Sequence, residues 1–65
     1  MKIVLNGQET EIQSPTLAEL IISENLDPSS LVAEHNGRIV TSSEWDTVFL
    51  REKDKVELLR FVGGG

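Results

Sequence analysis

The chain has no cysteine, one histidine, two prolines and three aromatic side chains in 65 residues. Without cysteine there is no disulfide, no thiolate nucleophile and no thiolate metal site. With a single histidine, His35, added to that absence, a zinc site has too few ligands of the usual kind. Basic residues are also scarce: six Lys and Arg against eleven Asp and Glu give a net charge of −5. Nucleic acid attracts basic surfaces, so this balance argues against it as a partner. No apolar run approaches the roughly 20 residues of a membrane span, so no membrane association is expected. Residues 1–6 lack the apolar core of a secretion signal. These absences predict a cytoplasmic protein. A chain this short forms one domain and buries only about 60% of its unfolded surface. It has room for one small core and none for an enzyme-sized cleft.

Catalytic constellations are missing as well. Ser, His and Asp occur, but no spacing ties them into a triad. No glycine-rich loop leads to a Lys-Ser/Thr pair that would cradle nucleotide phosphates. The chain is therefore not expected to be an enzyme, and no cofactor is expected to bind it.

What is present is periodic. Met1, Ile3 and Leu5 share one face at strand period, and Asn6-Gly7 supplies a dipeptide suited to a tight hairpin turn. Residues 8–13 return as a more polar strand with Ile12 inward, and Glu9 and Glu11 suit an exposed edge. Ser14-Pro15-Thr16 opens a helix over about 15–25. Either Thr16 caps it, with Glu19 completing a capping box, or Ser14 caps it with Pro15 as the first helical residue. Leu17, Leu20 and Ile21 form the buried stripe, and Ile22 widens it. Asn25 ends the helix in a left-handed cap, Pro28 blocks continuation, and Leu26 packs back on the helix end.

Leu31 to His35 and Arg38 to Val40 read as a second hairpin around Asn36-Gly37. A short helical turn near 43–46, capped by Ser42 or Ser43, carries Trp45 to the core edge. After the charged turn 51–55, Val56 to Val62 is apolar enough to lie centrally in the sheet. The order is β-β-α-β-β-(short helix)-β. This is an α+β protein with a mixed sheet of about four to five strands and one main helix. With the last strand beside the first, it is a β-grasp.

One helix covers only one face of such a sheet. If Val56, Leu58 and Val62 point to the helix, Leu59 and Phe61 point away; the opposite phase exposes Leu58. Either way a large apolar side chain stays uncovered beside the terminal Gly63-Gly64-Gly65, and such a patch suits a partner. Arg60 is a candidate polar contact on its rim. A glycine terminus taken alone reads as fraying or a linker remnant. In a chain with no other reactive group it becomes a flexible tail (63–65) on a domain spanning 1–62. Its carboxylate, on Gly65, is sterically open to activation.

The chain resembles the ThiS family of sulfur carriers in thiamine biosynthesis, within the ubiquitin-like β-grasp superfamily. The likeness runs through Ile3-Val4-Leu5-Asn6-Gly7, Thr16-Leu17-Ala18-Glu19-Leu20, Val32-Ala33, Asn36-Gly37, Ile39-Val40, Glu44-Trp45, Val56-Glu57 and Phe61-Val62-Gly63-Gly64-Gly65. The resemblance implies that an E1-like adenylyltransferase of the ThiF type, using ATP and magnesium, adenylates Gly65. Sulfur from cysteine, passed through a desulfurase persulfide, then displaces AMP to leave a thiocarboxylate. A thiazole synthase of the ThiG type takes that sulfur. By the same analogy Leu59 and Phe61, with Arg60 and Val62 beside them, hold the partners while Gly63, Gly64 and Gly65 form the tail. Alternatives are a molybdopterin-type sulfur carrier and a ubiquitin-like modifier of lysines. One departure is visible: Lys53-Asp54 stands where the family often has Gly-Asp. Lys53 then has to hold a conformation that suits glycine.

Overall fold

Two Asn-Gly pairs set the frame. In the computed structural model, which describes residues 1–13 and 15–61, Asn6 (φ 50°) and Gly7 (φ 81°) are both left-handed, as are Asn36 (φ 51°) and Gly37 (φ 85°). Two consecutive positive-φ residues give a turn whose twist matches that of paired strands. The first turn joins β1 (Lys2–Leu5) to β2 (Gln8–Glu11), and the second joins β3 (Leu31–His35) to β4 (Arg38–Val40). The last strand, β5 (Lys55–Arg60), lies at the centre of the order β2-β1-β5-β3-β4. It runs parallel to β1 and antiparallel to β3. This is the β-grasp arrangement that the element order predicts.

The turn asparagines do more than turn. Asn6 Oδ1 accepts the Leu58 N–H at 2.8 Å, and Asn36 Oδ1 accepts the Lys55 N–H at 2.9 Å. Each side-chain carbonyl thus takes a donor of β5, so both hairpin turns are stitched to the central strand.

The helix α1 (Leu17–Ser23) is shorter at both ends than the 15–25 expected from sequence. Thr16 is its N-cap: its hydroxyl accepts the Glu19 N–H at 3.2 Å. That geometry decides between the two caps. The start is also pinned from the side, because Val48 C=O accepts the Leu17 N–H and Pro15 C=O accepts the Leu50 N–H, both at 2.9 Å. At the other end Asn25 adopts φ 58°, as a left-handed cap requires, and Leu26 packs against the core.

Leu17, Leu20 and Ile21 are buried against Ile3, Leu5, Ala33, Val56 and Leu58. Ile22 is not part of that stripe and is 73% exposed. Its position turns about 100° from Ile21, enough to leave the sheet on a helix of only seven residues. A 3₁₀ turn at Ser42–Thr47 follows β4, with Thr41, rather than Ser42 or Ser43, at its cap position. It buries Trp45, whose Nε1–H donates to Val40 C=O at 2.9 Å.

The loop into β5 holds the departure noted above. Lys53 sits at φ 70°, the left-handed region, with its N–H bonded to Lys2 C=O at 2.7 Å. A side chain there costs about 1 kcal/mol or more, partly balanced by the extra backbone entropy a glycine loses. Lys53→Gly is expected to stabilise the domain by about 0.5 kcal/mol and raise its melting temperature by a few degrees. A lower melting temperature would show that the lysine side chain contributes more than its conformation costs.

Next to it, Asp54 gathers three partners. His35 Nε2–H donates to Asp54 Oδ2 at 2.7 Å, the Arg51 N–H donates to the same oxygen at 2.9 Å, and Asn36 Nδ2 donates to Oδ1 at 3.2 Å. A carboxylate only accepts, so the contact places a proton on His35 Nε2. Burial works to raise the Asp54 carboxyl but is outweighed by these hydrogen bonds, which hold it below its ordinary value. The stability this provides is complete above the unfolded value of about 3.9 and is lost as pH falls through the lower folded value. Chemical denaturation between neutral pH and pH 2 should therefore show an acid limb that is shallower in Asp54→Ala. Equal limbs in the two proteins would remove Asp54 as its source.

Candidate functional site at the end of the central strand

The site is built from the alternation of β5. Val56 and Leu58 are buried under the helix, so Glu57 and Leu59 face the opposite side of the sheet. The phase that sequence left open is thereby decided. Residues directly opposed across strands share a face. Val32 opposes Leu59, Glu34 opposes Glu57, and Ile39 opposes Glu34. All of them therefore stand on the side of the sheet that the helix does not cover. Leu59 is 50% exposed and Phe61, continuing the alternation, is 47% exposed.

The predicted contact residues divide. Leu59 and Phe61 share the open face. Arg60 is exposed but opposes the buried Leu31, and so belongs to the helix-side face at the sheet's end. Val62 and the tail residues Gly63, Gly64 and Gly65 lie outside the described residues.

Sequence reading missed two features of this face. One is the direct opposition of Glu34 and Glu57, two carboxylates flanking the Val32–Leu59 pair. Like charges placed opposite each other weaken a sheet. They give the apolar patch an acidic border suited to a basic surface. Register alone creates the pair, so no local pattern could have revealed it. The other is Ile39, 70% exposed on the edge strand, which extends the apolar character of the open side.

Elsewhere the surface offers less. A cavity of about 380 Å³ lies by β4 and the 3₁₀ turn, lined by His35, Arg38, Val40, Glu44 and Thr47. His35 there is engaged with Asp54. Among the described residues no group of three or more His, Asp and Glu is placed to hold a metal ion. Nor is any helix among them long and apolar enough to cross a membrane.

The fold and the uncovered apolar end of β5 define a ubiquitin-like β-grasp protein. A family profile described as the ThiS family matches residues 3–65, and the chain belongs to that family. It is 30% identical over 63 residues to the sulfur carrier protein ThiS of Bacillus subtilis, covering 94% of this chain and 96% of that one. A crystal structure of the thiamine biosynthesis protein ThiS from Geobacter metallireducens superposes with a TM-score of 0.84 at 25% identity, over the whole of both chains. The chain is also 33% identical over 66 residues to a thiazole synthase of Paramagnetospirillum magneticum. There it spans about a fifth of the longer protein's length.

Proposed function

We propose that this chain is a sulfur carrier of thiamine biosynthesis whose reactive group is the Gly65 carboxylate. The observation that carries the proposal is the family match through residue 65, on a fold that leaves Leu59 and Phe61 uncovered four to six residues upstream. A carboxylate is a poor electrophile. An E1-like adenylyltransferase of the ThiF type attacks the α-phosphorus of ATP with it, forming an acyl adenylate and releasing pyrophosphate. ATP and magnesium are bound by that enzyme. A persulfide, charged from cysteine by a desulfurase, then attacks the acyl carbon and expels AMP. Reductive cleavage of the resulting acyl disulfide by a thiol leaves the thiocarboxylate. A thiazole synthase consumes it, supplying sulfur to the thiazole moiety. The presence of a similar stretch within longer thiazole synthases supports that pairing. Glycine at the reacting end gives the least steric hindrance to each attack. These reactions belong to the cytoplasm, where ATP and the desulfurase are found together.

The carrier itself contributes binding and reach. The acidic border and apolar patch hold it on the partner, and the residues after Phe61 extend about 14 Å at most. Intact mass measurement after incubation with ATP, the adenylyltransferase and a sulfur source tests this directly. One oxygen exchanged for sulfur at the C-terminus is the expected product. Whole-chain adducts on other proteins would instead mark a modifier of lysines. A thiocarboxylate consumed by molybdopterin synthesis and not by thiazole synthase would assign the carrier to the other pathway.

A further inference from the structure

The last described backbone contact before the tail continues the β3–β5 register one rung beyond the strands. β5 ends at Arg60, paired with Leu31, and one residue later the Phe61 N–H donates to Ser30 C=O at 3.0 Å. Ser30 closes a 3₁₀ turn (Pro28–Ser30) that Asp27 caps. Asp27 Oδ1 accepts both the Ser29 N–H, at 3.0 Å, and the Ser29 hydroxyl, at 2.8 Å. Asp27 C=O accepts the Ser30 N–H at 3.2 Å. Pro28 fixes φ at the first position of the same turn. The carbonyl that receives Phe61 therefore sits where the β3–β5 ladder meets the 3₁₀ turn, and Asp27 is the side chain that braces that turn.

We propose that Asp27 is a positioning residue for the tail. Through the Ser29–Ser30 turn it fixes Phe61 as the pivot from which residues 62–65 reach a partner's active site. The inference rests on the sulfur-carrier reading for its consequence and on the contacts above for its geometry. With Phe61 held, four residues of sequence, 62–65, follow the last fixed point. If the Ser30–Phe61 bond opens, the side chain that docks on the open face loses its fixed backbone, and the last fixed point lies one residue further from Gly65. Lengthening and loosening a tether lowers the effective concentration of its end at a fixed site. Arg60, the neighbouring residue, contributes its positive charge towards the Asp27 carboxyl. The hydroxyl and N–H of Ser29, the main influences, hold that carboxyl below its ordinary value. The brace is accordingly charged at neutral pH. No sequence signal pointed to this residue, since Asp before Pro-Ser-Ser reads only as turn chemistry.

The test compares Asp27→Ala with Asp27→Asn, whose amide oxygen can still accept from Ser29. Amide hydrogen exchange is read at Phe61, with Leu58, bonded to Asn6, as the control for the rest of β5. In Asp27→Ala the Phe61 amide is expected to exchange about tenfold faster, with Leu58 changed less than about twofold, because only a local opening is made easier. Asp27→Asn should stay near the parent. An unchanged Phe61 amide in Asp27→Ala, or equal acceleration at Leu58, overturns the brace. Pyrophosphate release by the adenylyltransferase then tests the consequence: kcat/KM for the carrier should fall about threefold in Asp27→Ala and recover in Asp27→Asn. Unaltered kcat/KM despite faster Phe61 exchange overturns the positioning role. If the parent chain itself supports no pyrophosphate release, the sulfur-carrier reading fails, while the exchange result still decides whether the brace exists.

Discussion

A chain ending at Gly64 is expected to melt where the full chain melts and to acquire no sulfur. Among the described residues the buried members of the core run from Ile3 to Leu58. Gly65 has no side chain to lose from a core, so its removal should change stability by no more than about 0.5 kcal/mol. Its effect on chemistry is expected to be nearly total. The acyl carbon would sit one residue, about 3.5 Å, short of where the activating enzyme's nucleotide meets it. Misplacing a reacting atom by even 1 Å can lower a rate about a hundredfold. Intact mass and thermal unfolding on the same sample check both halves. Thiocarboxylate on the shortened chain at the parent rate would remove Gly65 from the mechanism.

The second large effect is a contrast between neighbours. Leu58 and Leu59 are identical in chemistry and adjacent in sequence, yet they face opposite sides of β5. Leu58→Ala is expected to cost about 2–4 kcal/mol, the lost transfer energy plus the cavity left beneath the helix. That is most of what a domain of this size has, so the protein should be largely unfolded near 37 °C. Leu59→Ala should change stability by less than about 0.5 kcal/mol. It should instead weaken binding to the adenylyltransferase by about 1–2 kcal/mol, roughly five- to thirtyfold, as removal of an apolar anchor does. Phe61→Ala should behave like Leu59→Ala. Circular-dichroism melts and titration calorimetry separate the two outcomes. A large loss of melting temperature in Leu59→Ala would mean that the open face supports the fold, and unchanged binding would mean that partners dock elsewhere.

Much of this protein was written locally. The two Asn-Gly turns, the Leu17-Leu20-Ile21 stripe and the Asn25 stop each depend on residues a few positions apart, so their signals survive in the linear chain. The strain at Lys53 came from the family resemblance, in which glycine often holds that turn position, and Lys53 does adopt φ 70°. The placement of β5 in the sheet's centre followed from its unusual apolar content. The membership of the ThiS family followed from the spacing of short motifs over the full length.

Other facts required the sheet to be assembled. Which of Leu58 and Leu59 is buried depends on where the helix lies, and a period-two pattern with apolar residues on both faces cannot say. Ile22 left the core because the helix has seven residues and one contact face, whereas the sequence shows only an apolar neighbour to a good stripe. The opposed Glu34 and Glu57, the reach of Asn6 and Asn36 to β5, and the path from Asp27 through Ser30 to Phe61 all join residues between 19 and 52 positions apart. Such contacts are set by strand register and by the parallel pairing of first and last strands. Sequence determined that the chain carries a reactive-looking glycine end on a small β-grasp body. Tertiary structure decided which face of β5 carries Leu59 and Phe61, because only packing breaks the symmetry between the two sides of a strand.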